Sequence, residues 1–144
     1  MSEGATVVGG GMQAYGKYKG AMAEADSLEA GADASESEAD ELLRRSYINA
    51  GATLQEGETM KGKQLSGFVS AGVEIDEGTP LTVLEDTNEK ITRQIGYEME
   101  ATQFTAEQKR RQAQFDRKTA GATRTAGKVA AIGSLVSSGA KASS

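Results

Sequence analysis

Ser66-Gly67-Phe68-Val69-Ser70-Ala71-Gly72-Val73-Glu74-Ile75-Asp76-Glu77-Gly78-Thr79-Pro80 is the one stretch that interrupts a long, alanine-rich helical pattern, and it holds the only proline. Gly72 and Gly78 can take the positive φ that other residues resist. Val73 and Ile75 alternate with Glu74 and Asp76, which suits a short extended segment. Thr79-Pro80 reads as a helix start, with Thr79 as N-cap and Pro80 at the first helical position, where a missing N–H costs nothing. Thr82-Val83-Leu84-Glu85 is a competing capping box. Helix, turn, helix follows. Phe68, Val69, Val73 and Ile75 are too apolar for a bare loop, so the stretch from Phe68 through Gly72, Gly78, Thr79 and Pro80 is expected to meet another subunit or another protein.

Working outward, residues 15–65 step in threes and fours through Tyr18, Met22, Ala25, Leu28 or Glu29 and Ala32. The seam resumes through Ala39, Leu42 or Leu43, Tyr47, Ala50, Leu54 and Gly57. No proline breaks this run, which is far longer than an ordinary globular helix. Residues 81–137 carry a second helical pattern. Its first seam is Val83 or Leu84, Thr87, Ile91, Ile95 and Thr102. Its second follows Phe104, Gln108, Gln112, Phe115, Thr119, Ala122, Ala126, Val129, Gly133 and Val136. Residues 1–14 read as a flexible glycine-rich segment, 66–80 as the bend and 138–144 as a tail. Gly16-x-x-x-Gly20 has the spacing of a close helix–helix contact.

The fold expected is all-α: a long antiparallel helical hairpin with a glycine-rich bend, completed by oligomerisation. The last clause rests on composition. The 144 residues include no Trp and three Phe, and large side chains supply most of the buried area in a core. Such a chain packs thin layers and needs further chains to finish its burial.

Charge supports the hairpin. Residues 24–41 carry eight acids and no base, and residues 104–144 carry eight bases against two acids. Folding at residue 75 places position i opposite roughly 150 minus i, as a short connection between antiparallel helices requires. Lys109, Arg110, Arg117 and Arg124 then face the acidic block containing Glu24, Asp33, Asp40 and Glu41. Attraction in this register and repulsion in others would help select it.

Little else carries chemistry. The chain has no Cys and no His, which removes thiolate chemistry, the commonest general acid–base residue and the commonest metal ligand. Glu74 with Asp76, and Glu98 with Glu100, stand at i, i+2, where a helix would turn them to different faces. Asp76, Glu77, Glu85 and Asp86 match no calcium loop, and acids near a helix start are ordinary dipole partners. Gly9-Gly10-Gly11-Met12 lacks the Lys-Ser/Thr of a phosphate loop. No catalytic, metal or cofactor site is expected, and no small-molecule substrate. No apolar run reaches the length of a membrane span, and the N-terminus lacks the basic start and apolar core of a signal peptide. The basic run from Lys109 could touch nucleic acid loosely. Val129, Ile132, Leu135 and Val136 form the most apolar stretch, suited to a subunit seam or a membrane surface.

This layout resembles the internal virion proteins, also called DNA-ejection or internal core proteins, of short-tailed bacteriophages. The parts that carry the likeness are Gly9-Gly10-Gly11-Met12-Gln13-Ala14, the helix with Ala21, Ala23, Ala25 and Ala30, the bend from Ser70 to Leu81, and the ending Ala130-Ala131-Ile132-Gly133-Ser134-Leu135-Val136. The resemblance implies a non-enzymatic protein packaged in the capsid interior near the portal, which leaves at infection and helps build a conduit for the genome through the host cell envelope. It implies a homo-oligomer that also meets other virion proteins, the portal or larger internal proteins. Packaged DNA and host membrane are further contacts. The alternatives are a head–tail or portal adaptor that stays in the particle, and a helical interaction protein of bacterial origin.

Overall fold

A computed structural model describes the backbone of residues 3–74 and 78–142 and the side chains of residues 9–74 and 78–140. Two helices account for nearly all of it: α1 (Glu3–Ser70) and α2 (Thr79–Ala142). They pack against each other as an antiparallel hairpin.

Both helices are longer at their ends than the sequence suggests. Residues 9–14 are helical, and so are 66–70 and 138–142. The three consecutive glycines each disfavour an isolated helix, but Gly10 lies against Ser138 of α2. Packing between the helices, rather than local propensity, holds that turn.

The end of α1 has a specific cause. Val73 N–H donates to the Phe68 carbonyl and Gly72 N–H to the Val69 carbonyl, both at 3.0 Å. This 6→1 and 5→2 pair closes a helix C-terminus when the residue after the cap is left-handed. Gly72 supplies that conformation, with φ of 72°. Gly78 is also left-handed, with φ of 77°. Its carbonyl accepts the Thr82 N–H at 3.2 Å, so Gly78 is the N-cap of α2. The expected N-cap, Thr79, is already the first helical residue, and Pro80 falls one position later than expected, still inside the first turn, where no N–H is needed. Thr82 is not an N-cap either: its hydroxyl donates back to the same Gly78 carbonyl at 3.1 Å. Ile75 and Asp76, half of the expected extended segment, lie outside the described residues.

The chain forms two compact units. The first comprises Met1–Ser37 and Lys109–Ser144, and the second Glu38–Gln108. Each unit is a pair of antiparallel helical segments. In the first, the interior is built of methyl groups: Ala14, Ala25, Ala32, Ala113 and Ala120 are buried, with Gly127 against Ala21. In the second, Ala39 and Ala106 are buried. Larger side chains join them there, including half-buried Leu42, Leu43, Leu84, Ile91, Ile95 and Met99, with Gly57 against Ile91. Along each helix the buried alanines recur every seven residues, as in Ala25, Ala32, Ala39 and Ala106, Ala113, Ala120. This is the repeat of a coiled-coil seam.

Register follows from three close approaches. Gly10 meets Ser138, Ala21 meets Gly127 and Gly57 meets Ile91. Each pair of residue numbers adds to 148. The pairing therefore keeps one register in both units, two residues from the one that charge alone suggests.

The second expected seam of α2 is not the one used. Phe104, Phe115, Val129 and Val136 are more than 60% exposed, and Gln108, Gln112, Ala122, Ala126 and Gly133 are exposed as well. Ala106, Ala113, Ala120 and Gly127 take their place. Two causes combine. Small residues let the backbones approach closely, whereas a Phe–Val seam would hold them apart. A seam through Phe115 and Ala122 would also turn Arg117 and Arg124, each two positions on, about 200° away from α1. On α1, Tyr47 and Leu54 are likewise exposed, while Ala50 is half-buried and Gly57 buried. Gly16 and Gly20 make no close contact.

Candidate functional site

The most organised set of polar side chains bridges the two helices of the first unit. Arg117 and Arg124 stand seven residues apart on α2. On α1 their partners repeat with the same interval, Asp26 and Glu29 for one, Asp33 and Glu36 for the other. Arg117 Nη2 donates to Asp33 Oδ1 at 2.8 Å and to Glu36 Oε2 at 2.5 Å. Arg124 Nη2 donates to Asp26 Oδ1 at 2.7 Å and to Glu29 Oε2 at 2.9 Å, and its Nη1 also bonds Glu29. Each guanidinium thus spans two carboxylates, one turn apart on the facing helix. The planar fork of arginine suits this arrangement better than a lysine point charge.

The electrostatics agree with the geometry. Donating to Glu36 and then to Asp33 raises the pKa of Arg117, and donating to Glu29 and then to Asp26 raises that of Arg124. The hydrogen bond from Arg124 holds the Glu29 carboxyl below its ordinary value. Such exposed pairs are individually weak, so the repeat sets alignment more than strength.

The remaining charged residues expected to set the register divide differently. Glu41 pairs within its own helix, with Arg44 at 3.0 Å and Arg45 at 2.8 Å. These hydrogen bonds, Arg45 first, lower its pKa. Glu24 is exposed, as are Asp40 and Arg110, and Lys109 is half-buried. Glu29 and Glu36, which sequence position alone did not distinguish from their neighbours, are the second carboxylates of the two bridges. The seven-residue interval shared with Arg117 and Arg124 is the signal that finds them.

In the second unit the cross-helix polar links are of another kind. Thr87, nearly buried, exchanges hydrogen bonds with the Gln64 amide at 3.1 and 3.2 Å. Lys61 Nζ donates to Asn88 Oδ1 at 3.0 Å. A part-buried polar pair of this sort favours one alignment, because slippage would leave the Thr87 hydroxyl without its partner.

The expected bend interface is mixed. Val69 and Val73 are exposed, as are Gly72, Gly78 and Thr79, whereas Phe68 is half-buried and Pro80 buried. Ile75 lies outside the described residues. Val129, Ile132, Leu135 and Val136 are all more than half exposed on α2, and no described helix is long and apolar enough to cross a membrane.

For small-molecule chemistry the arrangement offers little. Surface grooves at Ala52, Glu56, Met60 and Lys63 on α1, and at Tyr97, Ala101 and Phe104 on α2, are each lined by one helix only. Among the described residues no three acids gather as metal ligands. Of the four carboxylates considered for a hard cation, Asp76 and Glu77 lie outside the described residues, and Asp86 pairs with Lys90 at 2.7 Å. No protein-family model, curated protein or solved structure matches the chain.

Proposed function

We propose that the protein is a non-enzymatic structural component of a short-tailed bacteriophage virion, packaged inside the capsid near the portal and ejected at infection to help form the conduit for the genome. One observation carries the reading. Among the described residues the hairpin buries no side chain larger than alanine completely, while Met12, Tyr15, Tyr47, Phe104, Phe115 and Ile132 are exposed. Apolar surface left in this way on a thin two-helix element suits a subunit whose burial is completed by copies of itself or by other virion proteins.

The same feature suits passage through a narrow tail. A chain with no disulfide, since it has no Cys, and with an interior of methyl groups gives up little buried area on unfolding. Assembly afterwards restores stability by mass action. The exposed Val129, Ile132, Leu135 and Val136 are the residues we assign to a subunit seam or to contact with host membrane, and the basic stretch of α2 to loose contact with packaged DNA.

Quantitative mass spectrometry of phage particles before and after genome release tests the reading. Loss of the protein from emptied particles is the expected result. Retention overturns ejection and leaves a head–tail or portal adaptor.

A further inference from the structure

Both helices of the first unit carry a second repeat on the side turned away from the hairpin seam. On α2 it runs through Phe115, Ala122, Val129 and Val136, seven residues apart and all exposed. Phe115, Ala122 and Val129 each stand two positions after a residue of the inner seam, Ala113, Ala120 or Gly127, and so lie about 200° round the helix from it. On α1 the exposed Gly16, Gly20, Ala23, Ser27, Ala30 and Ala34 step alternately by four and three. Ala23, Ser27, Ala30 and Ala34 follow the inner Ala21, Ala25, Leu28 and Ala32 by two positions, which gives the same offset. One outward face is large and apolar, the other small.

The faces differ in charge as well as in size. Lys118 stands on the α2 face, and α2 has no acid after Asp116. Asp26 and Asp33 flank the α1 face. Each bonds an arginine inside the hairpin, yet their side chains stay 70% and 72% exposed, with carboxylate surface left for a second cation. A second α2 is a poor occupant of the α2 face, because it brings the same basic charge and equally bulky side chains. An α1 from another copy brings acids, and glycine and alanine positions between which Phe115, Val129 and Val136 fit as knobs into holes. Burial of the apolar stripe supplies the attraction, and the opposed charges select which helix is accepted.

We propose that the outward α2 face of one copy packs antiparallel on the outward α1 face of the next, through Phe115, Val129 and Val136. The contact joins two different patches, so it repeats from copy to copy until a ring closes or a filament forms. Copies standing level carry the hairpin's own register, in which facing residue numbers add to 148, into the new contact. Lys118 then stands opposite Ala30 of the next copy, between its Asp26 and Asp33. Phe115 falls beside Ala30 and Ala34, and Val129 beside Gly16 and Gly20. This gives a specific form to the assembly inferred above, and rests on that reading only in requiring that copies meet.

Disulfide cross-linking tests the contact directly, since the chain has no cysteine of its own. Ala23 and Ala126 are exposed, one on each outward face, and their numbers place them level in the shared register. A disulfide needs Cα atoms within about 7 Å, which two positions on opposite sides of one hairpin do not meet. Full-length Ala23→Cys and Ala126→Cys chains, carrying tags of different mass, are mixed and mildly oxidised. The mixed dimer is the expected product, and the chain with both substitutions should give a ladder of multimers. Adding Phe115→Ser and Val129→Ser, both at exposed positions, should lower the yield of mixed dimer at least tenfold while helix content by circular dichroism is kept. A predominant Ala126→Cys homodimer, no cross-linking between chains, or a yield unchanged by the serine substitutions overturns the proposal. Cross-linking reads which faces meet and particle mass spectrometry reads where the protein goes, so either reading can fail alone.

Discussion

Replacing Gly127 with alanine tests the packing at its narrowest point. An added Cβ at this position would overlap the Ala21 Cβ, and the Ala21 Cα would lie 3.8 Å away. The obstructing atom is itself a Cβ, with no torsion by which to move aside, so the backbones would have to separate. Overpacking of this kind costs about 1–3 kcal/mol. Helix propensity acts in the opposite direction, since alanine is better than glycine in a helix by about 1 kcal/mol. The net expectation for Gly127→Ala is a loss of about 0–2 kcal/mol from these two effects. At Gly121, on the same helix, an added methyl group would have nothing within 4 Å, so Gly121→Ala should gain about 1 kcal/mol. The difference between the variants isolates the steric effect. Restoring space on the other helix completes the cycle: Ala21→Gly combined with Gly127→Ala moves one methyl across the seam and should return stability close to that of the original chain. Urea unfolding followed by far-UV circular dichroism, at one fixed protein concentration so that any self-association contributes equally to every variant, provides the values. Equal stabilisation by Gly127→Ala and Gly121→Ala would refute close approach at this point, and failure of Ala21→Gly to rescue would refute the partner assignment.

Two further outcomes follow from single positions. Gly72 caps α1 with φ of 72°, and a side chain in the left-handed region costs about 1–2 kcal/mol; Gly72→Ala should therefore lower the urea midpoint, whereas Gly67→Ala, inside the helix with open space around it, should raise it. Glu29 gives a pH dependence of defined sign: Arg124 depresses its folded pKa below the ordinary 4.5, so its stabilising contribution is present above that value and is lost as pH falls through the lowered one. Glu29→Gln should weaken this acid sensitivity of unfolding, and an unchanged acid transition in that variant would show that the Arg124 bridge does not contribute to it.

Much of the hairpin was legible because its signals are one-dimensional. The long runs without proline gave two helices, the glycine pair at 72 and 78 marked the turn, and the opposed charge blocks brought Arg117 to Asp33 and Arg124 to Asp26. Helix ends were less legible. Gly9-Gly10-Gly11 has poor helix propensity, and what overrides it is the approach of Gly10 to Ser138, a contact between residues far apart in the chain. The cap of α2 was misplaced by one residue for a related reason. Thr79 has the side chain of an N-cap, but the left-handed Gly78 already supplies the first accepting carbonyl.

The choice of seam on α2 was the larger difficulty, and it explains the candidate site. Two stripes compete on that helix, one through Phe115, Ala122, Val129 and Val136, the other through Ala113, Ala120 and Gly127, both at seven-residue spacing. Hydrophobicity favours the first, because its side chains would bury more area. The structure uses the second. The reason lies on α1, where Ala14, Ala21, Ala25 and Ala32 present a surface that only equally small residues can approach closely, and where Asp26, Glu29, Asp33 and Glu36 require Arg117 and Arg124 at the flank of the seam. Satisfying the charges and the close approach leaves the more apolar stripe outside. The exposed aromatic and branched residues are therefore a consequence of how the hairpin closes, and which apolar side chains stay on the surface is set by the same arginines that align its helices.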